Sequence, residues 1–144
     1  IASIKIPPLP SDPRVARERV EEIRTVVSER VSIGISGDAS AANGFISGCD
    51  AWYSVIGGTL PGVALEITRA AQRGDADEAR AASGRLAPLW DLFADFGGSL
   101  RVTAAVAEIL GLVRLRSLPL PIQGLDEVQR AKVARVIEQL DLSL

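Results

Sequence analysis

Three short runs rich in β-branched residues alternate with helical segments, and the alternation stops at Gly74; no other feature narrows the possible folds of this chain as much. Residues 1–6, IASIKI, read as a strand stopped by Pro7, Pro8 and Pro10, which can continue neither a central strand nor a helix interior. Ser11-Asp12-Pro13 supplies a cap and a first-turn proline, and Ala16, Val20, Ile23 and Val27 recur at helical spacing. That spacing predicts an amphipathic helix to about Arg30. In VSIGIS (31–36), Val31, Ile33 and Ile35 alternate with Ser32, Gly34 and Ser36, giving a second strand with one apolar face and one almost bare face. It ends at Gly37-Asp38. A short Ala-rich segment (39–47) leads to AWYSVI (51–56), a third strand closed by Gly57-Gly58, and Pro61 opens a helix to Gly74.

Such an order, with short connections, implies parallel strands, right-handed crossovers and helices on the outside. Three strands alone leave two open edges and an uncovered face, so further strands are expected beyond these residues. After Gly74 the strand pattern gives way to helices. Asp75 with Glu78 reads as a capping box, and Ala79, Leu86, Leu89, Phe93 and Phe96 form an apolar stripe in a helix expected to bend at Pro88. Gly97-Gly98 stops it, Ser99 caps a helix ending at Gly111, and LPLPI (118–122) is an extended linker. Leu125, Val128, Val133, Ile137 and Leu140 then mark a last helix. The expected organisation is therefore βα units over 1–74 and a three-helix extension over 75–144.

Composition removes whole classes of chemistry. With 47% apolar and 24% charged residues and a net charge of −2, the 144 residues have the balance of one globular unit and no basic footprint for nucleic acid. No apolar run approaches the roughly 18 residues that cross a bilayer, and the first residues lack the basic head of a signal peptide. A cytoplasmic protein without a membrane partner is expected. The absence of histidine excludes Ser-His-Asp triads, Cys-His dyads and His-containing zinc sites, and the single cysteine, Cys49, reads as a small buried hydrophobe. No metal and no cofactor are expected. There is also no methionine and the chain opens in a strand, so a piece of a longer protein is expected.

Ligands of parallel α/β folds bind at the carboxyl ends of the strands, which here are Lys5-Ile6, Ser36-Gly37-Asp38 and Tyr53-Ser54 up to Gly57-Gly58. Lys5 is conspicuous: of sixteen basic residues, only it and Lys132 are lysines. Unlike guanidinium, an amine can lose its proton near neutrality and attack a ketone, and desolvation favours that neutral form. The plainer reading is a strand-end lysine with its ammonium in solvent. Asp38 suits a polar substrate, or is only a turn and cap; Gly57-Gly58 offers backbone amides to a carboxylate or phosphate, or is only a turn.

Taken in order, IASIK, then SGD, GCDAWYSVIGGTLP, GDADEARAASGRLAPLWDLF, a helix ending LGL and a closing LPLP resemble the second half of the dihydrodipicolinate synthase and N-acetylneuraminate lyase family. The likeness spans almost the whole chain, and its specificity lies in order and spacing. It implies the last three βα units of a (β/α)8 barrel with a helical extension, and a lyase or aldolase that forms a lysine Schiff base with pyruvate or another 2-keto acid. It further implies a homotetramer. Lys5 stands at the position of the Schiff-base lysine, Gly37 and Asp38 at the strand-seven motif lining the pocket, and Tyr53 at a strand-eight position, commonly isoleucine, beside the lysine. The proton-relay tyrosine and the Thr-Thr carboxylate-binding pair belong to earlier strands, in the missing N-terminal half of the barrel.

Several positions depart from the family pattern. Ile6-Pro7 follows the lysine where an acidic residue is usual, and Ala51-Trp52-Tyr53-Ser54-Val55 replaces Gly-x-Ile-Ser-Val. Gly58, Arg101 and Ser117 stand where asparagine, lysine and arginine are frequent. These changes point to a divergent member with its own 2-keto acid or aldehyde partner, or to a non-catalytic barrel relative that binds a metabolite or serves as a structural subunit. The parity of the first strand puts Ile1, Ser3 and Lys5 on one face and Ala2 and Ile4 on the other, with Gly37 and Tyr53 expected as the neighbours of Lys5.

Overall fold

Alternation along the first two strands decides which face of the sheet is buried. A computed structural model describes residues 1–142; Ser143 and Leu144, the last two residues of the expected extension, lie outside the described residues. Strand β1 (Ser3–Ile6) pairs in parallel with β2 (Ser32–Ile35), and β2 with β3 (Ala51–Trp52), in the order β1-β2-β3. The register matches Ile4 with Ile33, Lys5 with Gly34, Ile6 with Ile35, and Ile35 with Trp52. Side chains of matched residues share a face, so one face carries Ile4, Ile6, Ile33, Ile35 and Trp52, which pack with Ala16, Val20, Ile23, Val27, Leu9 and Cys49. Ile33 and Ile35 are fully buried there, each contributing about 1.5–3 kcal/mol by leaving water. The opposite face carries Ser3, Lys5, Ser32 and Gly34.

Helix α1 (Pro13–Val26) starts as its sequence predicts. Asp12 accepts from the amides of Arg14 and Val15 at 2.8 and 3.2 Å, and Pro13 occupies the first turn. Those two amides hold the Asp12 carboxyl below its ordinary range. The helix ends four residues before the expected Arg30. Val27 is already extended, and Val31 N–H closes a turn on Ser28 O at 2.8 Å that delivers the chain to β2.

After β2, a 3-10 turn (Asp38–Ser40) leads into the short helix α2 (Ala41–Ile46), which packs on α1, β2 and β3. The third strand is shorter than the expected 51–56. Tyr53 N–H still donates to Ile35 O at 2.9 Å, but β2 has ended and Gly37 turns its chain away at φ +82°, so no backbone remains to pair with residues beyond Tyr53. Residues 56–58 instead form one 3-10 turn.

Four further helices follow α3 (Pro61–Gln72): α4 (Ala76–Arg85), α5 (Ala87–Asp95), α6 (Ser99–Ile109) and α7 (Glu127–Gln139). The helix expected to bend at Pro88 is thus broken in two. Pro88 has no N–H to continue the ladder, Leu86 leaves helical geometry, and the amides of Leu89 and Trp90 both return to Leu86 O. The extension therefore contains four helices among the described residues, not three. Asp75 caps α4 through the Glu78 amide, and α7 opens with a reciprocal capping box between Asp126 and Gln129.

The chain forms two compact units, one of residues 1–54 and 62–84, the other of residues 55–61 and those from 85 onward. Within the second, α5, α6 and α7 pack on one another around Leu89, Leu92, Val102, Val106, Val133 and Ile137. Glu108 on α6 ties this unit together: it takes the Ser117 amide at 2.9 Å and hydroxyl at 3.0 Å and pairs with Arg130 of α7. Burial pushes the Glu108 carboxyl up, but Ser117 and Arg130 outweigh it and hold the group below its ordinary range.

Candidate active site

The two ends of the sheet have different chemistry. At the amino ends of the strands, Arg24 of α1 donates to Val31 O at 3.1 Å and Gly48 O at 3.3 Å and pairs with Asp50, whose carboxylate also accepts the Ile33 amide at 2.7 Å. Partial burial raises the Asp50 pKa, yet the Arg24 guanidinium and the Ile33 amide pull it below the ordinary value. Arg24 and Asp50 are committed to each other and to the backbone around them, which is a stabilising arrangement. Cys49 beside it is buried, and desolvation, helped by the Asp50 charge, pushes its thiol up to about 11. A thiol so seldom ionised is inert as a nucleophile.

The exposed sheet face carries the candidate amine. Lys5 is the last residue of β1 on that face, with its side chain exposed, and the strand opposite it offers only Gly34. Tyr53, at the end of β3, fills the space this glycine leaves. A Cβ built on Gly34 would lie 2.2 Å from the Tyr53 Cε2 and 2.6 Å from its Cδ2, so the ring rests directly on the β2 backbone. The Lys5 ammonium stands 5.9 Å from the ring centroid, within cation–π range. The Tyr53 hydroxyl reaches across to β1 and meets Ser3 Oγ at 2.5 Å.

The structure therefore brings Lys5 and Tyr53 together, with Gly34 rather than Gly37 as the intervening residue. Gly37 lies beyond the end of β2, where Pro8 Cγ would be 2.7 Å from a Cβ and φ is +82°; both facts require glycine. Asp38 is 3% exposed and accepts the Trp52 indole N–H at 3.0 Å. Trp52 packs against the helix-side core, so this bond ties the Asp38 carboxylate to that side of the sheet. Ser36 donates through its hydroxyl to Ile6 O at 2.7 Å, fixing the carbonyl that precedes Pro7. Gly57 and Gly58 lie in the 3-10 turn of the other unit.

Ser3 and Gly34 are the residues the sequence reading missed. Their shared parity with Lys5 was a usable signal, but the reach of Tyr53 across two strands depends on register and side-chain direction, which alternation does not encode.

The model of the dihydrodipicolinate synthetase family matches residues 14–140. The chain belongs to that family. Dihydrodipicolinate synthase from Agrobacterium tumefaciens superposes with a TM-score of 0.87 at 40% identity, over 97% of this chain and 46% of that one. A monomeric dihydrodipicolinate synthase variant matches at 0.82 and 16% identity, over 99% and 46%. The chloride-inhibited enzyme of Acinetobacter baumannii, solved with pyruvate, matches at 0.74 and 18% identity, over 93% and 44%. No curated protein sequence matches. The chain thus spans just under half the length of these solved relatives, and its three parallel βα units are part of a TIM barrel. Among the described residues, no helix is long and apolar enough to cross a membrane.

Proposed function

We propose that this chain supplies the C-terminal part of a Schiff-base lyase or aldolase acting on pyruvate or a related 2-keto acid, with Lys5 as the nucleophile. One observation carries the reading: Lys5 ends a strand on the face turned away from the core, opposite a bare glycine and beside an aromatic ring, in a chain of the dihydrodipicolinate synthetase family. On this reading residues 1–74 are strands six to eight with their helices, residues 75–144 are the extension, and the remaining strands close the open edges of β1 and β3.

The chemistry follows from the amine. Neutral Lys5 Nζ adds to C2 of the keto acid, the former carbonyl oxygen leaves as water, and the protonated imine withdraws electrons from C3. Loss of a proton from C3 gives an enamine that attacks an aldehyde; in reverse, a carbon–carbon bond at C3 breaks and its electrons return to the imine. The imine is the electron sink, so the step needs neither metal nor cofactor. Tyr53 lines this pocket. Gly37 borders its mouth through backbone, and Asp38, committed to Trp52, serves the pocket by holding the turn after β2. Groups for proton relay and carboxylate binding come from the rest of the intact, cytoplasmic protein, which on the family resemblance assembles as a homotetramer.

Borohydride reduction of the intact protein with pyruvate tests the assignment. A covalent adduct on Lys5 is expected, and Lys5→Arg abolishes it, because guanidinium does not form the imine. Adduct formation unchanged in Lys5→Arg removes the nucleophile assignment, and no adduct with any 2-keto acid leaves the non-catalytic barrel relative standing.

A further inference from the structure

The hydrogen bond between Ser3 and Tyr53 has a direction set by the second bond that Ser3 makes. Ser3 Oγ lies 3.1 Å from Ser32 O and 2.5 Å from the Tyr53 hydroxyl. A carbonyl oxygen carries no proton, so the bond to Ser32 uses the single hydroxyl proton of Ser3. Ser3 must then accept from the phenol. The phenolic proton is spent on β1, and the Tyr53 oxygen presents only lone pairs to its other surroundings.

This anchoring matters because of where Tyr53 starts and ends. Its backbone follows Trp52, which is matched with Ile35, one residue beyond the level of Gly34; its hydroxyl ends at Ser3, two residues before Lys5 on β1. The ring thus crosses β2 at the level of Lys5 and lies flat on Gly34, which only a residue without Cβ permits. Held at both ends, it forms a fixed wall along the Lys5 stem, leaving the amine free to extend toward the carboxyl ends of the strands.

We propose that Ser3, Gly34 and Tyr53 form a latch that sets the size of the imine pocket, with Ser3 as a positioning residue that selects 2-keto acids with no substituent on C3 larger than hydrogen. The proposal rests on the Schiff-base reading above. A wall that cannot swing away crowds an added methyl group at C3, so pyruvate is favoured over its ethyl homologue 2-oxobutanoate. Releasing the phenol from Ser3 lets the ring move and admits the longer chain.

Competition trapping on the intact protein tests this. Pyruvate and 2-oxobutanoate are supplied together with borohydride, and the two Lys5 adducts are weighed by mass spectrometry. One hydrogen bond is at stake, so Ser3→Ala lowers the pyruvate preference by about 3- to 10-fold. Tyr53→Phe, which keeps the ring and loses the hydroxyl, gives a similar drop, the double variant does no more than either single one, and Ser3→Thr restores the preference. An unchanged ratio in Ser3→Ala, additive losses in the double variant, or failure of Ser3→Thr to restore it overturns the latch. Absence of any adduct in the unsubstituted protein overturns the Schiff-base reading itself, whereas a normal adduct with an unchanged ratio overturns only the latch.

Discussion

Gly34 shows how much one missing Cβ controls. It faces Lys5 across the ladder and lies beneath the Tyr53 ring, so Gly34→Ala drives a methyl group into ring carbons 2.2 and 2.6 Å away. The ring can yield only by leaving Ser3. We expect Gly34→Ala to destabilise the intact protein by about 1–2 kcal/mol, measured by denaturant unfolding, because overpacking is relieved by side-chain movement more than by backbone shift. It should also reproduce the relaxed keto-acid preference of Ser3→Ala. Cys49 makes the complementary point. A buried thiol whose pKa is pushed up to about 11 should resist iodoacetamide in the native protein and react on unfolding, as mass spectrometry can follow. Rapid native alkylation would mean that the core beside β2 opens.

Among the elements, α1 and its contacts act at the amino ends of the strands, away from Lys5. Arg24 gathers Val31, Gly48 and Asp50, which are the residues just before β2 and β3. Arg24→Ala removes three acceptors' partner at once. The cost is moderated by solvent at a site about one third exposed, and about 1–2 kcal/mol of stability should be lost without change in the keto acid selected. In the helical unit, Glu108 is more deeply buried, at 8% exposure, and holds both the loop at Ser117 and α7 through Arg130. Glu108→Ala removes the acceptor shared by the Ser117 amide, the Ser117 hydroxyl and Arg130 and should cost about 1–3 kcal/mol, moderated by solvent that reaches the 26% exposed Arg130.

For the whole molecule, these two carboxylates predict an acid limb of stability. Both Asp50 and Glu108 have folded-state pKa values below their ordinary values of 3.8 and 4.5. Their contribution is therefore present above those values and is lost as pH falls through the lower folded ones. The Tm should drop as pH is taken from about 6 to about 3, and Glu108→Gln should flatten that drop, since an amide has no proton to gain. A Tm profile as steep in Glu108→Gln as in the unsubstituted protein would contradict the role given to this group. Assembly is a separate question, because a monomeric variant occurs among proteins of this fold. Light scattering of the intact protein is expected to report a tetramer, and a monomer would remove that expectation without touching the fold.

Periods of two and of three to four residues were enough to read the parallel βα order, the core positions Ile33, Ile35, Ala16 and Val20, and the cap at Asp12, since each depends on chain-local geometry. Lys5 was legible for a similar reason: a lysine at the end of an apolar strand, in a chain that otherwise uses arginine, is a local anomaly. Where β3 stops, where the helix near Pro88 breaks, and which way Asp38 points were not legible. The strand needs a partner backbone that Gly37 withdraws, and Asp38 follows an indole fourteen residues away. The layer formed by Ser3, Gly34 and Tyr53 was decided only in three dimensions. Alternation assigns each residue a face, but only the register of two parallel pairings brings a residue from the third strand across a glycine in the second to a hydroxyl in the first.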